Sequence, residues 1–489
     1  MFRTTTAHHR HLIICMACKI LCLSLLLLLY LLLRSFEETG GSAIAGEHRI
    51  RGTNQIRTPR FKAIKQNEEK NNQFSVTPRR KKPNDRPELW PHWHKGLLPY
   101  AGHPGLLTAT VTPGVNLGMN EYLVDVLIGT PPKRRSLILD TGSDLTWIQC
   151  APCRDCFDQR EPYFDPRRSN SFQNISCHDT RCRLVKSPPD LSRPCDANDS
   201  TQTCPYYYNY GDSSHTTGDF AAETFTFNLT SATGNSEFVR VKNLIFGCGH
   251  RNRVNFRGAS GMLGLGRGPL SFSTQLQYLY GNAFSYCLVD SNAGRNATSK
   301  LVFGSSRNLS GHRPMNFTSF VTKRPNLDET FYYLQIESVS VGGEVLTIPK
   351  ETWEVSPDGS GGTVIDSGAT LSFFIEPAYE IIREAFAKKV RGYPVVEDER
   401  FDLCYRASGK EELDMPEFRI AFDDGAEWNF PAENVFMRFE PEGIVCLAIL
   451  RIDNDWFSII GNYQQKNFHV LYDRGESRLG FTTMRCADV

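Results

Sequence analysis

The pattern of hydrophobic and polar positions changes twice along the chain. Residues 20–33 are a leucine-rich apolar run behind a polar stretch that carries Arg3 and Arg10. Residues 47–113 are rich in Arg, Lys, Asn, Gln and Pro with little apolar periodicity, so they are expected to form no core of their own. From Glu121 onward, short β-rich runs alternate with turn residues. Residues 122–128 close on Gly129-Thr130-Pro131-Pro132, and residues 136–139 run into Asp140. Further strands are predicted over 220–229, 239–246, 284–289, 301–303, 331–341, 345–348 and 363–365. One helix is predicted over 376–390, with Pro377 in the first turn and Tyr379, Ile382, Phe386 and Val390 at three-to-four spacing. The expected fold is mostly β with a few short helices.

Composition sharpens this picture. A chain of 489 residues suggests about three domains or one large bilobal unit. With 40% hydrophobic and 22% charged residues it is neither a polytopic membrane protein nor wholly disordered. The net charge of +1 argues against nucleic-acid binding by the chain as a whole, but it hides a division. Residues 46–100 hold 13 Lys and Arg against 5 Asp and Glu, whereas residues 101–489 hold 38 against 47. A basic leader precedes an acidic body.

Residues 1–45 have the charged start and apolar run of a secretory signal, with Ala43-Ile44-Ala45 as a small-x-small cleavage site. Residues 12–33 would also suffice as a signal anchor if Lys19 snorkels. Either way the body is expected in the secretory pathway, and then extracellular, in the apoplast, or in a vacuole. Residues 46–116, with the run Arg79-Arg80-Lys81-Lys82, read as a solvated linker or as a propeptide lying on the acidic body. Of fifteen cysteines, Cys15, Cys18 and Cys22 fall in the leader. The remaining twelve are Cys150, Cys153, Cys156, Cys177, Cys182, Cys195, Cys204, Cys248, Cys287, Cys404, Cys446 and Cys486. In an oxidising compartment they read as six disulfides of undetermined connectivity. The spacing Cys150-x2-Cys153-x2-Cys156 resembles a metal site, but Arg160-Glu161 stands where an iron–sulfur run needs Cys-Pro, and the compartment favours disulfides. Six N-x-S/T sequons, at Asn174, Asn198, Asn228, Asn296, Asn308 and Asn316, agree with a glycosylated secretory protein.

The chemistry lies in an internal duplication. Leu137-Ile138-Leu139 leads into Asp140-Thr141-Gly142-Ser143, and Thr363-Val364-Ile365 leads into Asp366-Ser367-Gly368-Ala369. Each is followed downstream by two apolar residues and a glycine, Met262-Leu263-Gly264 and Ile459-Ile460-Gly461. One Asp-Thr-Gly triplet is ordinary turn chemistry. Two copies in matching contexts point to a pair of carboxylates.

These motifs, with Tyr210-Gly211-Asp212-Ser213-Ser214, Trp147 and the cysteine cluster, resemble the pepsin-like aspartic endopeptidases, most closely their plant nepenthesin-type branch, over about residues 117–489. The resemblance implies two β lobes, 117–310 with a cysteine-rich insertion and a flap and 311–489, with a catalytic cleft between them. It implies Asp140 and Asp366 as the catalytic pair, with Thr141 and Ser367 cross-linking their loops and Gly142 and Gly368 allowing tight turns. Ser143 would donate to Asp140, while Gly264 and Gly461 would support the two loops. Tyr210 and Gly211 match the flap, and Trp147 matches the residue that supports the flap tyrosine, although an ordinary core role would equally account for it. Strand packing accounts for Tyr206, Tyr207 and Tyr208. The implied partners are polypeptide substrates and the chain's own propeptide, acting on a monomer that needs no cofactor or metal and binds no nucleic acid. Two departures stand out. Ala369 replaces the usual Thr or Ser, which is expected to raise the pKa of the pair and shift activity to a less acidic pH, or else to weaken it. A Ser replaces a Gly in the flap tip, which is expected to stiffen it. A binding protein on the same fold stays open as a second reading.

Overall fold

Leu107, Ala109 and Val111 alternate with more accessible threonines, and all three are buried, in the first strand, β1 (Gly105–Pro113). This moves a boundary: residues expected to belong to the basic leader are part of the core. The alternation is short and polar on one face, which hides it among the prolines and cations before it. The computed structural model describes residues 105–489 except 190–194, 197, 200, 232–235, 255, 295, 305–313, 323–326, 358, 411 and 489. All of these belong to one compact unit, Thr58–Val489. The apolar run, the Ala43-Ile44-Ala45 site, the basic run and Asn308 lie outside the described residues. Among the described residues no helix is long and apolar enough to cross a membrane.

The first half continues with β2 (Tyr122–Ile128), β3 (Lys133–Asp140), β4 (Trp147–Gln149), β5 (Pro205–Asn209), β6 (His215–Ser231), β7 (Ser236–Arg253), β8 (Gly261–Gly264), β9 (Ala283–Cys287) and β10 (Ser299–Phe303). The second half contributes β11 (Asn316–Ser319), β12 (Tyr332–Leu334), β13 (Thr363–Ile365), β14 (Ser372–Phe374), β15 (Ile449–Arg451), β16 (Ser458–Ile460), β17 (Phe468–Asp473) and β18 (Arg478–Thr483). Two four-stranded sheets complete it, one around Ile336–Val341 and Phe418–Phe422, the other around Phe401–Arg406 and Ile444–Leu447. The protein is mostly β, with two β lobes. The longer helices are α1 (Phe272–Tyr280) and α2 (Ala378–Lys389). Helix α2 follows Pro377 and buries Tyr379, Ile382 and Phe386, within two residues of its predicted ends.

The duplication in sequence is a duplication in topology. In the first half β3 lies antiparallel to β2 and parallel to β8, β8 is antiparallel to β4, and β4 is parallel to β7. In the second half β13 lies antiparallel to β12 and parallel to β16, β16 is antiparallel to β14, and β14 is parallel to β15. Each aspartate therefore sits at the end of a strand buried on both faces, where a run such as Leu137-Ile138-Leu139 belongs. The halves are joined by one sheet in which β18 pairs with β17, β17 with β9, and β9 through β10 with β1.

All twelve body cysteines pair: Cys150–Cys248, Cys153–Cys156, Cys177–Cys195, Cys182–Cys204, Cys287–Cys486 and Cys404–Cys446. The first ties the end of β4 to its parallel neighbour β7, and the fifth ties β9 to the C-terminal end of the chain. The sulfurs of Cys177, Cys182 and Cys195 cluster, yet each is already in a disulfide.

Candidate active site

The two aspartate loops meet across the halves through reciprocal hydrogen bonds. The Thr141 N–H donates to Ser367 Oγ at 3.1 Å, the Ser367 N–H donates to Thr141 Oγ1 at 2.9 Å, and Ser367 Oγ donates to the Leu139 carbonyl at 2.9 Å. All these groups are buried, so each is satisfied within the protein. Each carboxylate also accepts an N–H from its own loop: Gly142 to Asp140 Oδ1 at 2.8 Å and Gly368 to Asp366 Oδ1 at 2.7 Å. Glycine is required at both places by a close approach. A Cβ on Gly142 would collide with the Asp366 carboxylate, and one on Gly368 with that of Asp140.

The Asp140 and Asp366 carboxyls lie side by side, so that a Cβ on Gly368 would meet an oxygen of each. Burial, and then the charge of Asp366, pushes Asp140 well above the ordinary carboxylate range, and burial raises Asp366 against the Gly368, Gly142 and Ala369 N–H groups. Ionising both carboxyls in this space is expensive, so the pair holds one proton between them, a property of the pair rather than of either residue. Ser143 Oγ donates to Asp140 Oδ2. The matching position beside Asp366 is Ala369, which offers its backbone N–H and no hydroxyl.

Behind each loop the apolar-apolar-Gly element acts as a prop. The Gly264 N–H donates to Thr146 Oγ1 at 3.2 Å, and the Gly461 N–H to Ser372 Oγ at 3.0 Å. Side chains on either glycine would run into the backbone of the aspartate loop, at Asp144 and Leu371 respectively. The second loop is also held from the first half by Glu121, just ahead of β2, whose Oε1 accepts the Thr370 hydroxyl at 3.1 Å.

The hairpin of β5 and β6 turns through residues 210–214, closed by Tyr210 N–H to the Ser214 carbonyl at 2.9 Å. Gly211 is exposed at its tip. Ser213 takes a φ of 69°, the left-handed region in which a side chain costs about 1–2 kcal/mol and glycine little. Trp147, fully buried, donates its indole N–H to Tyr210 Oη at 2.6 Å and stacks on Phe256. It is thus both a core residue and a support for the flap tyrosine. Tyr208 does more than pack in its strand, correcting that expectation: its hydroxyl accepts the Asp144 N–H at 3.1 Å and its ring centroid lies 5.3 Å from that of Tyr210. Asp144, Thr146 and Thr330 carry no motif that marks them in the sequence. Only the equal spacing of Thr146 and Ser372 from the two aspartates could have revealed a member of that set. Asn174, Asn198, Asn228, Asn296 and Asn316 are all exposed.

Comparison with known proteins gives a consistent result. Residues 122–305 match the family described as Xylanase inhibitor N-terminal and residues 331–483 the family described as Xylanase inhibitor C-terminal. The chain is 38% identical over 392 residues to Aspartyl protease family protein 2 of Arabidopsis thaliana, covering 79% of this chain and 76% of that one. It is 37% identical over 381 residues to aspartic proteinase nepenthesin-1 of Nepenthes gracilis, covering 77% and 80%. Among solved structures, basic 7S globulin from soybean shares the fold, with a TM-score of 0.60 at 20% identity over 78% of this chain and 98% of that one.

Proposed function

From the premise that this chain belongs to the pepsin-like aspartic protease family, in its plant nepenthesin-type branch, we propose that it is a secreted, glycosylated endopeptidase made as an inactive precursor. The observation that carries the reading is the pair of carboxylates, Asp140 buried and Asp366 half-buried, set side by side and each backed by a glycine N–H. Such a pair, as in aspartic proteases generally, holds one proton and supplies acid and base together. The ionised carboxyl takes a proton from water, whose oxygen attacks the peptide carbonyl carbon, while the protonated carboxyl gives its proton to the carbonyl oxygen. The resulting gem-diol collapses when one carboxyl protonates the departing nitrogen, the ionised carboxylate takes a proton from a gem-diol hydroxyl and the C–N bond breaks, leaving an acid, an amine and the singly protonated pair. Tyr210 and the flap cover the bound chain and exclude water, which strengthens the electrostatics beneath. The substrate is an extended polypeptide held by strand-like backbone hydrogen bonds. No metal or organic cofactor enters this chemistry.

Six disulfides and five exposed sequons support passage through an oxidising, glycosylating compartment. The basic leader suits a propeptide resting on the acidic body as an intramolecular partner, and the mature chain works as a monomer. Since β1 is core, the leader is removed ahead of Gly105. A second reading, a binding protein on the same fold, has in its favour the missing hydroxyl at Ala369 and the inhibitor family that the halves match. The decisive experiment is a pH–rate profile of the matured protein on an unfolded protein substrate, with and without a statine-type transition-state mimic, alongside Asp140→Asn. Bell-shaped cleavage blocked by the mimic and reduced at least about a thousandfold in the mutant is expected. Folded, processed protein giving only inhibitor-insensitive background would transfer the assignment to the binding reading.

A further inference from the structure

Four residues past Asp140 a third carboxylate is buried that the proton-sharing pair does not use. Asp144 Oδ1 accepts the Gly268 N–H at 2.9 Å, and Oδ2 accepts the Thr330 hydroxyl at 3.0 Å. Gly268 lies in the loop leaving β8, and a Cβ on Gly266 or Gly268 would intrude on the Asp144 carboxylate. Thr330 stands two residues before β12, in the entry to the second half. The Asp144 N–H meanwhile donates to Tyr208 Oη of the flap strand β5. The flap therefore hangs from the stretch after Asp140 at two points, Tyr208 on Asp144 and Tyr210 on Trp147.

We propose that Asp144 is a positioning residue whose side chain, clamped between Gly268 and Thr330, fixes the first aspartate loop and the flap strand to each other and to the entry of the second half. It touches no reacting atom and acts through Tyr208 and the loop that carries Asp140.

The charge of this carboxyl is costly to hold. Burial pushes its pKa to about 6, against the Gly268 and Thr330 hydrogen bonds. The charged and titratable groups facing it are Tyr208 from β5, Arg267 beside Gly268, which itself faces Glu329, Asp328 ahead of Thr330, Tyr332 of β12, and Arg474 beyond β17. Because the folded value lies above the unfolded one, the stability contributed by Asp144 is complete below about pH 4 and is lost as pH rises through about 6. The clamp is firmest in acid.

The test compares the matured protein with Asp144→Ala, Asp144→Asn and Thr330→Val, reading backbone hydrogen exchange in residues 205–215 and in β13, together with kcat and KM. Asp144→Ala is expected to speed exchange in 205–215 by about tenfold while β13 stays unchanged, and to lower kcat about tenfold with KM moving under threefold. Thr330→Val is expected to show about a third of the effect. Asp144→Asn, whose amide still accepts the Gly268 N–H, restores most of it. Between pH 4 and 7, after correction for intrinsic rates, flap exchange should accelerate in the wild type and stay flat in Asp144→Asn. Wild-type flap exchange in Asp144→Ala, or equal acceleration in β13, overturns the proposal. Should the alanine variant fail to fold, unchanged flap exchange in Thr330→Val or a persisting pH dependence in Asp144→Asn overturns it as well. Only the kinetic arm rests on the proteolytic reading. A wild type that does not cleave defeats that reading while the exchange arm still decides this one.

Discussion

Six residues past Asp140 stands Thr146, and six past Asp366 stands Ser372. Each hydroxyl accepts the N–H of the glycine behind its loop. One residue past each aspartate, Thr141 and Ser367 exchange hydrogen bonds across the halves, and two past, Gly142 and Gly368 each face the opposite carboxylate. At these three positions the loops are equivalent. At three others they are not. Ser143 donates to Asp140 where Ala369 offers no hydroxyl. Asp144 reaches Thr330 where Thr370 reaches Glu121. Trp147 holds Tyr210 where Phe373 lies in the apolar core of the second half. The matched positions build and hold the carboxylate pair. The mismatched ones, apart from the hydroxyl at Ser143, face the flap and the crossing between halves. A duplicated frame has thus kept what the chemistry needs twice and diverged where only one half carries a lid.

The largest effect is expected from breaking the equivalence at glycine. Neither Gly142 nor Gly368 has a positive φ, so alanine would suit the backbone, and the obstacle is the carboxylate opposite. Gly142→Ala and Gly368→Ala should each push the carboxylates apart and lower kcat about a hundredfold or more, since a displacement of about 1 Å carries such a cost. If the loops are equivalent, the two losses agree within a few fold. A large loss in one and a small loss in the other breaks the comparison.

A smaller effect tests the asymmetry. Phe373 fills the same place in the second half with a phenyl ring, so Trp147→Phe should fold and lose the 2.6 Å hydrogen bond to Tyr210. The expectation is a fall in kcat/KM of about tenfold, the value of one good hydrogen bond, with little change in melting temperature. A large loss of stability with unchanged kcat/KM would instead make Trp147 a core residue alone.

How much of this was legible in the sequence follows from the same contrast. Tyr122–Ile128 and Thr363–Ile365 are strands at their predicted limits, because a solid apolar run that stops at Gly-Thr-Pro-Pro or at Asp-Ser-Gly leaves little latitude. Strand β1 was missed because the alternation of Leu107, Ala109 and Val111 is too short to stand out against its basic neighbours, and tertiary pairing with β2 and β10 completes it. Helix α1 was missed although Phe272, Leu276, Leu279 and Tyr280 have helical spacing, since nine residues after Gly268-Pro269 look like a loop. The long strands β6 and β7 were read in pieces because each shifts register at irregularities near Gly218 and Phe225. The pair of carboxylates could be read because the motif repeats. The partners of Asp144 and Tyr208 could not, because hydrogen bonds spanning 186 and 64 residues leave no local trace. Disulfide connectivity was closed to sequence for the same reason.

The subtlest test makes the two loops more alike. A hydroxyl that donates to an ionised carboxylate favours the charged form, so the absence of one at Ala369 holds the pKa of the pair up. Adding it with Ala369→Thr should lower that pKa and move the whole pH–rate profile toward acid. Removing its counterpart with Ser143→Ala should move the profile the other way. A hydrogen bond to a charged group is worth about 1.5 kcal/mol or more, and one pKa unit is about 1.4 kcal/mol, so a shift of about one unit is expected in each direction. Ala369→Ser carries the same hydroxyl in less volume and separates a crowding effect of the threonine methyl from the hydrogen bond. Opposite shifts from the two loops would mean that the pair titrates as one unit fed by donors from both sides. A shift from Ser143→Ala alone would mean that the proton is governed from the first loop, and that the alanine in the second has no part in setting the working pH.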